Sequence, residues 1–271
     1  MTKEDRQMEL FPAEPAQAKA APPRPEFGDD EELNWERFQQ FLRSFQEFGK
    51  QTQHEELTLE GRKVWLYQNE FWTARQRDAH SLHEISYRAC YKPQLPGFFL
   101  QTFCGHLKEP VIYDPFMGRG TTLLEARLQL PGCRVIGNDV NPLSGALLSP
   151  RLDPPNLEEV RKRLGTLDLP EIPEAEHDPD LLTFYHPGTL AELYGWRAYF
   201  KRRQESGEWD SLDAWLRMVA CNRLTGHSRG FFSVYTLPPN QATSVKAQRR
   251  INERRNQTPE YRDTRALILK K

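Results

Sequence analysis

The stretch VIYDPFMGRGTTLLEA, residues 111–126, passes from an apolar run to an apolar helix through Asp114, Pro115, Phe116, Gly118, Gly120, Thr121 and Thr122. Two glycines flanking one residue allow a tight turn and a close approach of backbone amides to a ligand. A helix that opens directly after such a turn adds N–H donors and the positive end of its dipole. With two threonine hydroxyls beside them, these groups suit one small anion. A second run, RVIGNDVNP (134–142), ends on Asp139, 21 residues beyond Gly118. An acid there is placed to accept hydrogen bonds from ligand hydroxyls.

Elimination narrows the ligand. A phosphate-binding P-loop requires GxxxxGK[ST], and no lysine follows Gly120. The dinucleotide fingerprint GxGxxG fails at its third glycine, where Leu123 stands. S-adenosylmethionine fits what remains: a carboxylate for the turn, a sulfonium that Asp114 favours, and ribose hydroxyls for Asp139. The bland alternative is an ordinary strand-to-helix connection. Against it stand Asp-Pro-Phe, two glycines, two threonines and a spaced acid occurring together.

DPFMGRGTTLLEA and GNDVNP resemble the cofactor-binding motifs of the DNA amino-methyltransferases, which modify adenine N6 or cytosine N4. The resemblance implies that the glycine turn holds the methionine part of the cofactor and that Asp139 holds the ribose. HEISYRACYKPQLP is similar to the preceding element of that family, whose Lys-Pro pair, here Lys92 and Pro93, flanks the cofactor. Two departures stand out: Arg119 replaces the commoner small residue between the glycines, and Asn138-Asp139 replaces a more apolar lead-in. The close match covers about residues 83–142. LTFYHPGTLAELYGWRAYF and NRLTGHSRGFFSVYTLPPNQ look like weaker segments of one subgroup. The loop 224–240, with its glycines, His227 and aromatics, either borders a base or DNA backbone or is a packed aromatic loop.

The family's catalytic tetrapeptide [DNS]PP[YFW] accepts the hydrogens of the target amine and stacks on a flipped base. It is missing here. DPPN (Asp153–Asn156) has the acid without the ring and reads as the start of the helix LEEVRKRL. LPPN (Leu237–Asn240) lacks both the acceptor and the ring. The expectation is a split enzyme, in which this chain supplies the S-adenosylmethionine pocket and a second subunit supplies [DNS]PP[YFW], with RALILKK as a candidate joining element. The other readings are an inactive remnant, a cofactor-sensing or DNA-binding subunit without chemistry, or an RNA methyltransferase. Direct methyl transfer needs no metal, and a restriction-modification or phage-defence setting follows from the resemblance alone.

The elements that must position these residues are an alternation of strands and helices. The 271 residues can bury a substantial core. Val111–Tyr113 reads as a buried parallel strand, the helix after the turn runs from Leu123, and 134–139 forms the next strand. The fold class is α/β, a Rossmann-like S-adenosylmethionine-dependent methyltransferase fold, incomplete and with added helices. Residues 1–30, rich in Ala, Pro and charge, read as a disordered arm. Within it Gln7, Leu10 and Phe11 look like the QxxLF peptide that docks bacterial enzymes on the replication sliding clamp. Residues 31–82 read as a helical segment, with Trp35, Phe38, Leu42 and Phe45 on one face, RKVWLYQ (62–68) as a short strand and 69–82 as a polar helix. The cofactor-binding core spans 83–165, a helical and aromatic-loop region 166–245, and a basic tail 246–271.

The formal net charge of −1 conceals an asymmetry: residues 1–60 carry fourteen acids and seven bases, residues 246–271 nine bases and three acids. The basic end can lie along phosphates or be a solvated helix face. Cys90, Cys104, Cys133 and Cys221 show no CxxC pairing, so neither a disulfide framework nor a zinc ribbon is expected. With no apolar stretch of signal or membrane-spanning length, the expected setting is the cytoplasm, away from membranes.

Overall fold

The computed structural model describes residues 28–29, 32–72, 79–87, 90–237 and 243–271. The clamp-like peptide at Gln7, Leu10 and Phe11 lies outside them, as do residues 238–240 of LPPN. The chain is mixed α/β, with helices and, among the described residues, three two-stranded sheets. It divides into two compact units: residues 1–83, 91–112 and 125–135 form the first, and 84–90, 113–124 and 136–271 the second. All four cysteines are free thiols. Among the described residues no helix is long and apolar enough to cross a membrane.

In the first unit, β1 (Gly28–Asp29) and β2 (Glu32–Leu33) pair antiparallel. Helix α1 (Trp35–Ser44) starts at Asn34, whose side chain accepts from the Arg37 amide at 3.0 Å. Its four-residue spacing brings Phe38 and Leu42 onto Phe98, with Phe41, Tyr67, Phe71 and Trp72 around them. The middle of this segment is not helical. β3 (Gln53–Leu59) and β4 (Arg62–Gln68) form an antiparallel hairpin, with His54 opposite Tyr67 and Leu59 opposite Arg62. Its two-residue turn, Glu60 and Gly61, has positive φ at both positions (50° and 78°), the geometry that matches strand twist. The strand expected at 62–68 is present; its partner went unread because QHEELTL is polar and Glu occupies a turn position that Asn or Asp usually marks. Asn69–Trp72 is also not helical. The Asn69 amide ties the region down, donating to the carbonyls of Phe45 (2.9 Å) and Lys50 (3.0 Å). A short 3-10 turn, Ser81–His83, follows, and α2 (Gln94–Cys104) buries Phe98 and Leu100.

In the second unit the core gathers Leu190, Trp196, Leu216, Val219, Phe232 and Ile268. Burying side chains of this size contributes about 1.5–3 kcal/mol each. They come from α6 (Pro187–Glu205), α7 (Ser211–Arg223), the loop after α7, and the C-terminal helix α9 (Thr264–Leu269). RALILKK thus forms most of α9, packed on this chain's own core by one side. Ile268 is buried in this chain's own core, and Thr264 accepts from Trp196 Nε1 at 2.9 Å while donating to Glu192 at 2.6 Å. α5 (Leu157–Thr166) opens with a reciprocal cap: Asn156 Oδ1 accepts from the Glu158 amide at 2.8 Å, and the Asn156 amide donates to Glu159. DPPN is thus the start of a helix. α4 (Pro142–Leu152) precedes it, and α8 (Val245–Arg255) follows the aromatic loop.

The third sheet joins β5 (Val111–Asp114) and β6 (Arg134–Gly137). Arg134 N donates to Pro110 O and Asn138 N to Asp114 O, each at 2.9 Å. Donor and acceptor advance together along the chain, so the strands are parallel. β5 was expected to be buried, yet only Ile112 is; Val111 and Tyr113 are exposed, as is Ile136 on β6. The reason lies in what covers the sheet. Within the second unit a Cβ on Gly137 would lie 2.3 Å from Met117 Sδ and 2.6 Å from Leu123 Cδ1, so that face is filled by the turn and by α3 (Thr121–Gln129). Tyr113 and Ile136 alternate away from it, and no third strand lines the sheet among the described residues.

Candidate functional site

The turn after β5 is built from its own hydrogen bonds. Asp114 Oδ1 accepts from the Phe116 amide at 3.1 Å, and Pro115 between them fixes φ for the bend. Met117 N donates to Asn138 O at 3.0 Å, and Gly120 N closes onto Met117 O at 2.6 Å. Gly118 and Gly120 both lie in the left-handed region, at φ 51° and 79°. Gly120 is needed twice over, since a Cβ there would meet Leu148 Cδ1 at 2.5 Å; at Gly118 the nearest atom is a Tyr87 ring carbon at 3.4 Å. Helix α3 rises straight from the turn, its Leu124 amide bonded to Gly120 O at 3.0 Å.

Asp139 braces the two strand ends. Its Oδ2 accepts from the Gly118 amide and its Oδ1 from the Asn141 amide, both at 2.8 Å. These two amides, Asn141 first, hold the carboxyl below the ordinary carboxylate range, with Ser144 adding a smaller contribution against partial desolvation. The carboxylate is only partly covered, and each oxygen retains acceptor capacity beyond its one amide. Asn141 in turn caps α4, accepting from the Leu143 amide at 3.1 Å, and donates to the Tyr87 hydroxyl at 3.3 Å. Tyr87 also reaches Ser144 Oγ at 3.3 Å.

Arg119 is the residue whose role the sequence misrepresents most. It is buried, and its guanidinium donates to Ile85 O at 2.9 Å and to Thr121 Oγ1 at 3.1 Å. Its carbonyl accepts from Arg151, which is itself buried and donates to Leu147 O at 2.7 Å. Burial, and secondarily the charge of Arg119, pushes the Arg151 guanidinium down to about 10. A small residue between the glycines would leave the segment 84–87 without this anchor. Tyr87, Asn141, Ser144 and Arg151 were missed by sequence reasoning because their contacts span 32 to 57 positions, beyond any local pattern.

The structure thus brings together Asp114, Pro115, Phe116, Gly118, Gly120, Thr121, Thr122 and Asp139 in the second unit. Phe116 is 85 % exposed and Val140, next to Asp139, 98 % exposed. Thr121, expected as a donor to an anion, is buried with its oxygen accepting from Arg119; Thr122 remains partly exposed. Lys92 and Pro93 belong to the first unit, where they open α2: Leu95 N donates to Lys92 O at 3.1 Å and Gly97 N to Pro93 O at 3.0 Å. Also in the first unit, and not anticipated, is the buried pair His83 Nε2 and Glu125 Oε1 at 2.6 Å.

The loop 224–237 is a packed aromatic loop. Phe232, Ser233 and Val234 are buried, Thr236 N donates to Gly226 O at 2.9 Å, and a Cβ on Gly226 would lie 2.5 Å from the Phe231 ring. Its tip, His227, Ser228 and Arg229, and Leu224 at its start face solvent. Among the described residues no group of three His, Cys, Asp or Glu side chains gathers that could hold a metal ion. No family model, curated protein or solved structure matches this chain.

Proposed function

We propose that this chain is the S-adenosylmethionine-binding subunit of a split DNA amino-methyltransferase, its parallel β5–β6 pair being the start of a Rossmann-like sheet. One observation carries the reading: two turns at the carboxyl ends of adjacent parallel strands, each followed by a helix, are held in register by Asp139, which still has acceptor capacity facing solvent. Ligands of parallel sheets sit at this end of the strands.

The donor set fits the cofactor. Asp114 uses one carboxylate oxygen on the Phe116 amide and offers negative charge to a sulfonium. Asp139 accepts from ribose hydroxyls, the amino end of α3 and Thr122 receive the methionine carboxylate, and Phe116 supplies an exposed ring for the adenine. When bound, the cofactor supplies an electrophilic methyl group. This chain positions and orients; a target amine on adenine or cytosine is presented by a partner carrying [DNS]PP[YFW]. The open face of β5 and β6, with Tyr113 and Ile136 exposed, supports that partnership, because parallel sheets are ordinarily covered on both faces.

Transfer of labelled methyl groups from S-adenosylmethionine to unmethylated DNA, with the chain alone and with proteins that co-purify from its host, tests the proposal. Activity only with a [DNS]PP[YFW] partner is expected. Cofactor binding without activity in any combination would favour a sensing subunit, and methylation of tRNA in place of DNA would redirect the substrate.

A further inference from the structure

We propose that α8 is a duplex-DNA backbone rail, a surface separate from the cofactor turn; the choice of DNA as its polyanion rests on the function proposed above. The helix carries five basic residues and a single acid, Glu253. One edge is committed to the fold: Gln248 and Ile251 are buried, the Gln248 amide donates to Tyr235 O at 2.9 Å, and the Asn252 amide donates to Thr183 O at 2.8 Å. Arg249 pairs with Asp180 at 2.9 Å and Arg255 lies 3.9 Å above the Tyr235 ring, fixing the flanks. That leaves Lys246, Arg250 and Arg254, all exposed, at successive four-residue steps.

Residues four apart on a helix are neighbours, so this stripe stacks like charges at about 6 Å intervals over about 12 Å. Each such neighbour pair destabilises an isolated helix slightly. None of the three forms an ion pair among the described residues. Glu253 stands three residues after Arg250 without an ion pair to it among the described residues, whereas on α5 Glu158 at the same spacing pairs with Arg161. A row of cations on a pinned, straight element is instead matched to a regular row of anions, and arginine's planar fork suits phosphate. A membrane-surface helix would need an apolar face toward the lipid, whereas the apolar residue Ile251 here is buried in the protein. Duplex RNA has a major groove too narrow for side chains to read and is the weaker match for a helix-borne row.

The test uses the full chain and a short fluorescent DNA duplex, with affinity read by anisotropy across a salt series. A triple variant, Lys246→Gln, Arg250→Gln and Arg254→Gln, is compared with a control that removes the same three charges elsewhere: Arg161→Gln, Lys162→Gln and Lys201→Gln. The rail variant is expected to lose at least about tenfold in affinity at low salt, and its log K against log salt slope is expected to fall by about 2–3, near 0.9 per phosphate contact. The control is expected to keep the slope, and thermal unfolding to show both variants folded. Equal weakening by the two triples overturns the proposal, as does an unchanged slope or tighter binding of the parent chain to duplex RNA or anionic vesicles. Calorimetric titration with S-adenosylmethionine separates the two readings: a rail effect without cofactor binding removes the methyltransferase and leaves the DNA surface, and cofactor binding without a rail effect does the reverse.

Discussion

Two carboxylates in the second unit, Asp213 and Asp139, are each held by several donors, and the donors differ in kind. Asp213, at the start of α7, is fully buried; its oxygens accept from Arg163 (2.8 Å), Tyr199 (2.8 Å) and Arg203 (2.9 Å). Asp210 completes the network, capping α7 and pairing with both arginines. Asp139 is held chiefly by the Gly118 and Asn141 backbone amides, with a smaller contribution from Ser144, and is only partly covered. A buried acid neutralised by two arginines is committed to the fold. An acid whose charge is balanced by peptide dipoles stays ionised and still offers lone pairs to a ligand. Abundance of charge therefore marks the structural site, and sparseness marks the candidate functional one.

The comparison breaks most visibly at Asp213. Asp213→Ala removes the fully buried acceptor shared by Arg163, Arg203 and Tyr199, leaving Asp210 to serve both arginines, and is expected to cost about 3–5 kcal/mol in urea unfolding. A loss below about 1 kcal/mol would show that the arginines find water instead. Next comes Gly120→Ala, which combines a left-handed backbone with an overlap on Leu148; about 2–4 kcal/mol is expected, against about 1–2 kcal/mol for Gly118→Ala, where the overlap is missing. Equal costs at the two glycines would remove the packing argument at Gly120. Asp139→Asn separates function from fold: S-adenosylmethionine affinity in calorimetry should drop at least about tenfold, the scale of losing hydrogen bonds to a charged acceptor. Its melting temperature should shift less than that of either preceding variant, and unchanged affinity would make Asp139 a brace only.

The smallest effect is one of pH. Asp139 has a depressed carboxyl, so its contribution to folding is fully present above the unfolded value, about 4, and is lost as pH falls through the lower folded value. Unfolding scans of parent and Asp139→Asn should accordingly converge only below about pH 4. Convergence already at pH 6 would mean that the amides do not hold the charge.

The glycine turn, Asp139 and the helices rich in Trp, Tyr and Leu were legible because each depends on local spacing: φ > 0 at glycine, an acid closing a strand, a 3.6-residue repeat. DPPN as a helix start was legible for the same reason, since Asn156 and Glu159 form a cap within four residues. The role of Arg119 was not, because its partner Ile85 is 34 positions away. Nor was β3, whose polar strand residues conceal the pairing that makes Glu60-Gly61 a turn. Apolar residues in β5 were read as buried because local pattern records that a side chain is greasy and not whether anything covers it. Tyr113 shows the difference.

That uncovered pair of strands has a practical consequence for anyone handling the protein. Each outer edge of a two-stranded sheet carries backbone N–H and C=O groups that a neighbouring molecule can extend, and exposed Tyr113 and Ile136 make the stacking favourable. The isolated chain is its own competitor for those edges. Concentration, more than temperature, should set its shelf life, and light scattering should rise with protein concentration until a charged residue at 113 or 136 interrupts the stacking.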